Sequence, residues 1–245
     1  MANKNTQNQK KTKISKVKTA TAKISSKKKE RLHYKDPLRH YHPATSVILA
    51  GYRPSLSQNS VKAPLFRTST FEFSSAKDGE KFFQRAYHLP GDDKKDPGLI
   101  YSRLNNPNIE IAEDKLVAAE LGAAEALLFP SGMSAITTAL LAICEPNAKI
   151  LYSDPVYGGT YFFLKAMCPQ RFQIQTTPID TSNLELVEKS LRSEKFDVVY
   201  LESPTNPTMK LADIKAIKAM IEKYSPKTLL VVDNTFLGPV FQAPL

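Results

Sequence analysis

From residue 106 onward the sequence alternates short apolar runs with longer amphipathic ones, and no other property constrains the fold as much. The runs at 126–129, 149–153, 172–177, 197–202 and 228–233 have the length and apolar content of strands. Between them lie segments with helical spacing, at 107–121, 132–144, 158–167, 183–193 and 211–224. Asn106-Pro107 is a helix start, an N-cap Asn followed by Pro in the first helical position. Gly122 fits the residue that follows a helix end. This order predicts an α/β fold, a mostly parallel sheet flanked by helices. Ligands of such sheets bind beyond the carboxyl ends of the strands. Those ends carry Ser131-Gly132-Met133, Tyr157-Gly158-Gly159, Glu202 with Asn206, and Asp233.

The first hundred residues read differently. Residues 43–100 are punctuated by Pro43, Pro54, Pro64, Pro90 and Pro97 and are expected to form an irregular N-terminal arm. Residues 1–42 are expected to be a disordered Lys-rich tail, because few apolar residues are present to offset the entropy of ordering it. The charge follows the same division. Residues 1–40 hold 13 of the 34 Lys and Arg and 2 of the 24 Asp and Glu, so the formal charge of +10 belongs to the tail and the body is nearly neutral. A basic groove within the folded body is therefore not expected. A solvated tail is the plain reading of 1–42. Salt-sensitive contact with nucleic acid or an anionic membrane is the other. The tail has no apolar core of a secretory signal, and no run approaches the ~20 apolar residues of a membrane helix, so a cytoplasmic location is expected.

Residue types narrow the chemistry. Cys144 and Cys168 are the only cysteines, too few for a disulfide framework or a zinc cluster, and both lie in apolar or helical surroundings that suit buried thiols. The histidines are His33, His40, His42 and His88, so residues 89–245 hold none. A Ser-His-Asp or Cys-His site is excluded there. His40 and His42 alone do not make a metal site. An enzyme built on this body needs chemistry other than imidazole, which points to a bound cofactor.

Five segments carry a resemblance. Tyr101-Ser102-Arg103 with Asn106-Pro107, FPSGMSA at 129–135, YGGTY at 157–161, ESPTNPT at 202–208 and VVDNTF at 231–236 occur in one order. Together they resemble the Cys/Met-metabolism family of pyridoxal-phosphate enzymes, the trans-sulfuration group of fold type I. That group includes cystathionine γ-synthase, the cystathionine lyases, methionine γ-lyase and O-acetylhomoserine sulfhydrylase. The resemblance covers about 43–245 and makes 101–245 a pyridoxal 5′-phosphate-binding large domain.

The resemblance implies roles that the residue types can fill. Backbone N–H groups of Gly132 and Met133, behind Ser131 at a helix N-terminus, would hold the cofactor phosphate. Tyr101 and Arg103 would reach the phosphate bound by a neighbouring subunit, in a dimer of dimers with shared sites. Tyr157 would stack on the cofactor ring and assist proton transfer. Asp233 would face the pyridine nitrogen and keep it protonated. Asn206 would hydrogen-bond near the ring oxygen or the substrate carboxylate, and Glu202 reads equally as loop structure or function.

The implied substrates are sulfur amino acids such as cystathionine or homoserine esters, undergoing carbon–sulfur elimination or γ-replacement. Methionine γ-lyases typically carry a Cys where this chain has Gly159, which weighs against that branch. The family's cofactor-binding lysine lies in a Ser-x-Thr-Lys motif after the Asp233 strand, and no lysine follows Asp233 in these 245 residues. The expectation is an incomplete large domain, inactive alone, without the small C-terminal domain. The alternative is a non-catalytic subunit that binds a partner and is tethered by its basic tail.

Overall fold

The computed structural model describes residues 42–89 and 98–245. The tail prediction for 1–42 falls almost entirely outside the described residues. The segment expected to be irregular holds two helices, α1 (Pro43–Leu49) and α2 (Ala76–Ala86). Proline punctuation misled here, because Pro43 sits at the first helical position, where its missing N–H costs nothing. Likewise the Ser75 hydroxyl caps α2 by accepting from Asp78 N at 3.2 Å.

The chain divides into two compact units, and the described part of one is 73–89 with Gly98. Within it, the rings of Phe73 and Phe83 pack against Phe82, which is buried.

The described part of the other unit is 42–72 and 99–245. Here α1 packs on α3 (Pro107–Ala119), and the Lys115 ammonium donates to the end carbonyls of α1, Val47 O at 2.7 Å and Ile48 O at 3.1 Å. Gly51 allows this approach. Its φ is +77°, and a Cβ there would lie 2.7 Å from Asp114 Cβ and 2.9 Å from Ile111 O. The Asn106 side chain caps α3 by accepting from Asn108 N, as the sequence predicts. The helix ends at Ala119 rather than 121, and Gly122 follows with φ +97°.

The remaining elements are α4 (Gly132–Ile143), β1 (Lys149–Ser153), α5 (Gly158–Phe162), α6 (Cys168–Phe172), β2 (Gln175–Ile179), α7 (Leu184–Ser193), β3 (Val198–Glu202), α8 (Ile214–Tyr224), β4 (Leu229–Asp233) and α9 (Gly238–Phe241). A π-helical turn, Phe163–Met167, joins α5 to α6. That turn carries the helix expected at 158–167 on to Phe172, where left-handed Gln173 stops it, and β2 starts three residues later than expected.

The strand expected at 126–129 does not form. Leu128 N donates to the Glu113 carboxylate at 2.9 Å, and Leu127 is 72 % exposed. An apolar run becomes a strand only beside another strand's free N–H and C=O groups, and among the described residues none lies next to it.

The sheet is fully parallel, in the order β2-β1-β3-β4. Strand residues alternate between its faces. Ile150, Tyr152, Val198 and Tyr200 join Leu140, Phe163, Leu164 and Cys168 in one core. Leu151, Val199 and Leu201 join Val187, Leu191, Ile217 and Ile221 in the other. Thus α4–α6 cover one face and α7–α8 the other. Each fully buried aliphatic side chain contributes about 1.5–3 kcal/mol. Among the described residues no helix is long and apolar enough to cross a membrane.

This order contains a reversal. The chain leaves β1 for α5 on the first face and leaves β3 for α8 on the second. The two adjacent strands part there, at the kind of switch point beyond whose carboxyl ends such sheets bind ligands.

Candidate functional site

Ser131 ends the unpaired apolar segment and caps α4. Its hydroxyl accepts from Ser134 N at 3.1 Å, and the Ser134 hydroxyl in turn accepts from Ser131 N at 3.1 Å. This reciprocal box occupies the N–H groups of residues 131 and 134. The N–H groups of Gly132 and Met133 have no hydrogen-bond acceptor among the described residues. A Cβ on Gly132 would meet nothing within 4 Å. Two free amides at the positive end of a 12-residue helix are of the kind that can seat a phosphate.

The α5 segment packs beside that seat. A Cβ on Gly159 would lie 3.0 Å from Met133 Sδ and 2.8 Å from Tyr157 Cε1, so glycine lets the two turns close. The Thr160 hydroxyl is buried and donates to Met133 Sδ at 3.8 Å. Tyr157 is 49 % exposed.

Glu202, at the end of β3, is 4 % exposed. Its carboxylate accepts from Tyr157 N at 3.1 and 3.0 Å and from Asn206 N at 2.6 Å. Burial pushes its carboxyl above the usual range, these backbone donors draw it back, and Asp233 raises it again.

Asp233 ends β4 as the register partner of Glu202. Its Oδ2 accepts from the Tyr200 hydroxyl at 3.1 Å, and its Oδ1 accepts from Thr235 N at 3.0 Å and from the Thr235 hydroxyl. The carboxylate is thereby fixed in orientation. Burial pushes the Tyr200 phenol far upward, so it remains a neutral donor.

The structure therefore brings Ser131, Gly132, Met133, Tyr157, Asn206 and Asp233 into one contiguous cluster. Tyr101 and Arg103 stand apart from it. Tyr101 bridges Thr70, Ser102 bonds to Thr68 O and Ser69 O, and the Arg103 guanidinium lies 5.4 Å over the Tyr101 ring. Among the described residues no hydrogen bond joins either to the cluster. Cys144 and Cys168 are buried in the first core, as their surroundings suggested.

Sequence reasoning missed Tyr200 and Thr160. The signal for Tyr200 was available, because a tyrosine inside a buried strand needs a partner for its hydroxyl. Strand parity places it on the face of Asp233, two residues from Glu202.

Comparison with known proteins gives concordant results. Residues 44–245 match the family described as Cys/Met metabolism PLP-dependent enzymes. An L-methionine γ-lyase of Fusobacterium nucleatum is 36% identical over 207 residues, 84% of this chain and 49% of the relative. A cystathionine γ-synthase of Mycobacterium tuberculosis is 36% identical over 203 residues, 83% of this chain and 47% of the relative. Among solved structures, MetB from Corynebacterium glutamicum superposes with a TM-score of 0.69 at 29% identity, covering 84% of this chain and 48% of that one. A Campylobacter jejuni protein titled as an O-acetylhomoserine (thiol)-lyase, carrying a pyridoxyl-lysine phosphate, gives 0.70 at 25% identity, covering 83% and 47%. The chain spans about half the length of the curated relatives it matches.

Proposed function

Because this chain belongs to the Cys/Met-metabolism family of PLP-dependent enzymes, we propose that it forms the cofactor-holding part of an enzyme that cleaves or exchanges carbon–sulfur bonds in small sulfur amino acids. One observation carries the reading. The two unused amides of Gly132 and Met133 lie in one cluster with an exposed aromatic ring and an oriented carboxylate.

The residues present fit pyridoxal 5′-phosphate. Gly132 and Met133 N–H would hold the phosphate, with no side chain at 132 to block approach. Tyr157 would lie against the ring, and Asp233 would hold a proton on the pyridine nitrogen. The bound cofactor supplies an electron sink for a substrate carbanion. The chain supplies the setting. Tyr200 and Thr235 keep both Asp233 oxygens oriented, so the carboxylate needs no rearrangement to receive a cation. The half-exposed Tyr157 hydroxyl would pass a proton to or from a leaving thiol. Asn206, on the loop beyond β3, offers its amide to a carboxylate or a ring oxygen.

Tyr101 and Arg103 would serve a second copy of the chain in a homo-oligomer, since both are exposed and lie outside the cluster. Elimination or replacement, and β or γ position, are both compatible with these residues. No lysine follows Asp233 in the 245 residues, so on their own they are expected to bind the cofactor without turning over substrate.

The test is a chimera that joins this chain to the remainder of the M. tuberculosis relative and is assayed for thiol and keto-acid release and, with an added thiol, for the thioether amino acid that replacement forms. Turnover of cystathionine, methionine or an activated homoserine supports the reading. A folded chimera that binds the cofactor and turns over none of them contradicts it.

A further inference from the structure

We propose that Glu202 is the positioning residue that sets the ring end of this site, by tying the loop after β1 to the loop after β3. The inference rests on the cofactor reading above and asks more of it.

The parting of β1 and β3 explains why a tie is needed. The ladder between β1 and β3 stops at Tyr152 and Tyr200, although both strands run further. Beyond that point their chains depart for opposite faces of the sheet. Side chains make the remaining links. Ser153 Oγ accepts from Glu202 N at 3.2 Å, and the Glu202 carboxylate reaches back to Tyr157 N. The same carboxylate turns the other way to Asn206 N at 2.6 Å. One buried group thus fixes the backbone of the residue facing the ring and of the residue placed for the ring oxygen or substrate carboxylate.

The choice of residue is informative. Three N–H···O contacts from two amides converge on it, and its oxygens must all accept. A glutamine would bring an NH2 group against an N–H donor. The position is also an unfavourable one for a carboxylate. Glu202 is buried and shares a sheet face with its register partner Asp233. Such a group persists where its acceptors are needed. The amides of Gly132 and Met133 are not among its partners, so the phosphate seat is independent of it.

That independence supplies the experiment. Dissociation constants for inorganic phosphate and for pyridoxamine 5′-phosphate are measured by equilibrium dialysis on the whole chain. The second probe shares the cofactor's phosphate and ring but has no aldehyde to react with surface lysines. Wild type, Glu202→Gln and Glu202→Asp are compared, with a melting curve for each. The expected result is a loss of about tenfold or more in pyridoxamine 5′-phosphate affinity in Glu202→Gln, with phosphate affinity within about twofold of wild type. Glu202→Asp should fall between the two.

Equal losses for both probes, or none for either, overturn the proposal. So does the absence of a melting transition in both variants, which makes Glu202 a purely structural group. If wild type holds pyridoxamine 5′-phosphate no more tightly than phosphate, the cofactor reading itself fails. If wild type discriminates and both variants match it, only the role of Glu202 fails.

Discussion

Tyr200→Phe removes one hydroxyl and leaves the ring, which is 1 % exposed, in the core. The hydroxyl donates to Asp233 Oδ2 at 3.1 Å. A hydrogen bond to a charged group contributes about 1.5–3 kcal/mol net. Asp233 is only half-buried, so its freed oxygen can rehydrate, and the loss falls around the low end of that range. The expected loss is about 1–2 kcal/mol. At about 2–4 °C per kcal/mol for a protein of this size, melting should fall by about 2–8 °C. The chain has no tryptophan, and the variant removes a tyrosine, so urea unfolding is best followed by far-UV circular dichroism. Pairing the variant with Asp233→Ala in a double-mutant cycle isolates the contact, with a coupling of about 1 kcal/mol expected. The loss should not vary between pH 6 and 9, because burial keeps the phenol protonated there. Stability within about 0.3 kcal/mol of wild type and no coupling would refute Tyr200 as the anchor of Asp233.

Three further outcomes follow from the geometry. Gly159→Ala places a Cβ 2.8 Å from Tyr157 Cε1 and 3.0 Å from Met133 Sδ, both movable ends of side chains. It should cost under about 1.5 kcal/mol of stability but displace the Tyr157 ring, weakening pyridoxamine 5′-phosphate binding severalfold in dialysis. The hydrogen bond from Lys210, then that from Ser182, holds the Asp180 carboxyl down to about 2, against 3.8 unperturbed. Its stabilisation is present above the unperturbed value and is lost as pH falls through the lowered one. Asp180→Asn should therefore be less stable than wild type at pH 7, by under about 1 kcal/mol for so exposed a pair, and urea midpoints of the two should converge toward about pH 2. Burial pushes the thiols of Cys144 and Cys168 up to about 11 and about 12. A thiol reagent at pH 8 should label neither until denaturant is added.

The alternation of strands and helices was legible because the central strands are buried on both faces, so their apolar runs are unbroken. Boundaries slipped where a local turn decided the matter. Gln173, a non-glycine residue in the left-handed region, stopped a helix that composition would have ended earlier. The apolar run at 126–129 misled for a different reason. Apolar character predicts burial, whereas a strand also requires a neighbour, which composition cannot supply. At the site, the helix-start signal around Ser131 and the strand-end carboxylate of Asp233 were readable one segment at a time. Glu202 was ambiguous because its role lies in contacts from two loops, one of them 45 residues away in sequence. Tyr101 and Arg103 were singled out by motif alone, and their segment is held by Thr68–Thr70 rather than by the cluster.

The central claim is that the amides of Gly132 and Met133 await a phosphate in front of a site shaped for its ring. Backbone amide NMR tests it most directly, on the chain titrated with pyridoxamine 5′-phosphate and, separately, with inorganic phosphate. The account predicts that both ligands shift the Gly132 and Met133 resonances, and that only the ring-bearing ligand also shifts Tyr157, Asn206 and Thr235. Shifts confined to other residues, or none at 132 and 133 at saturation, would contradict it.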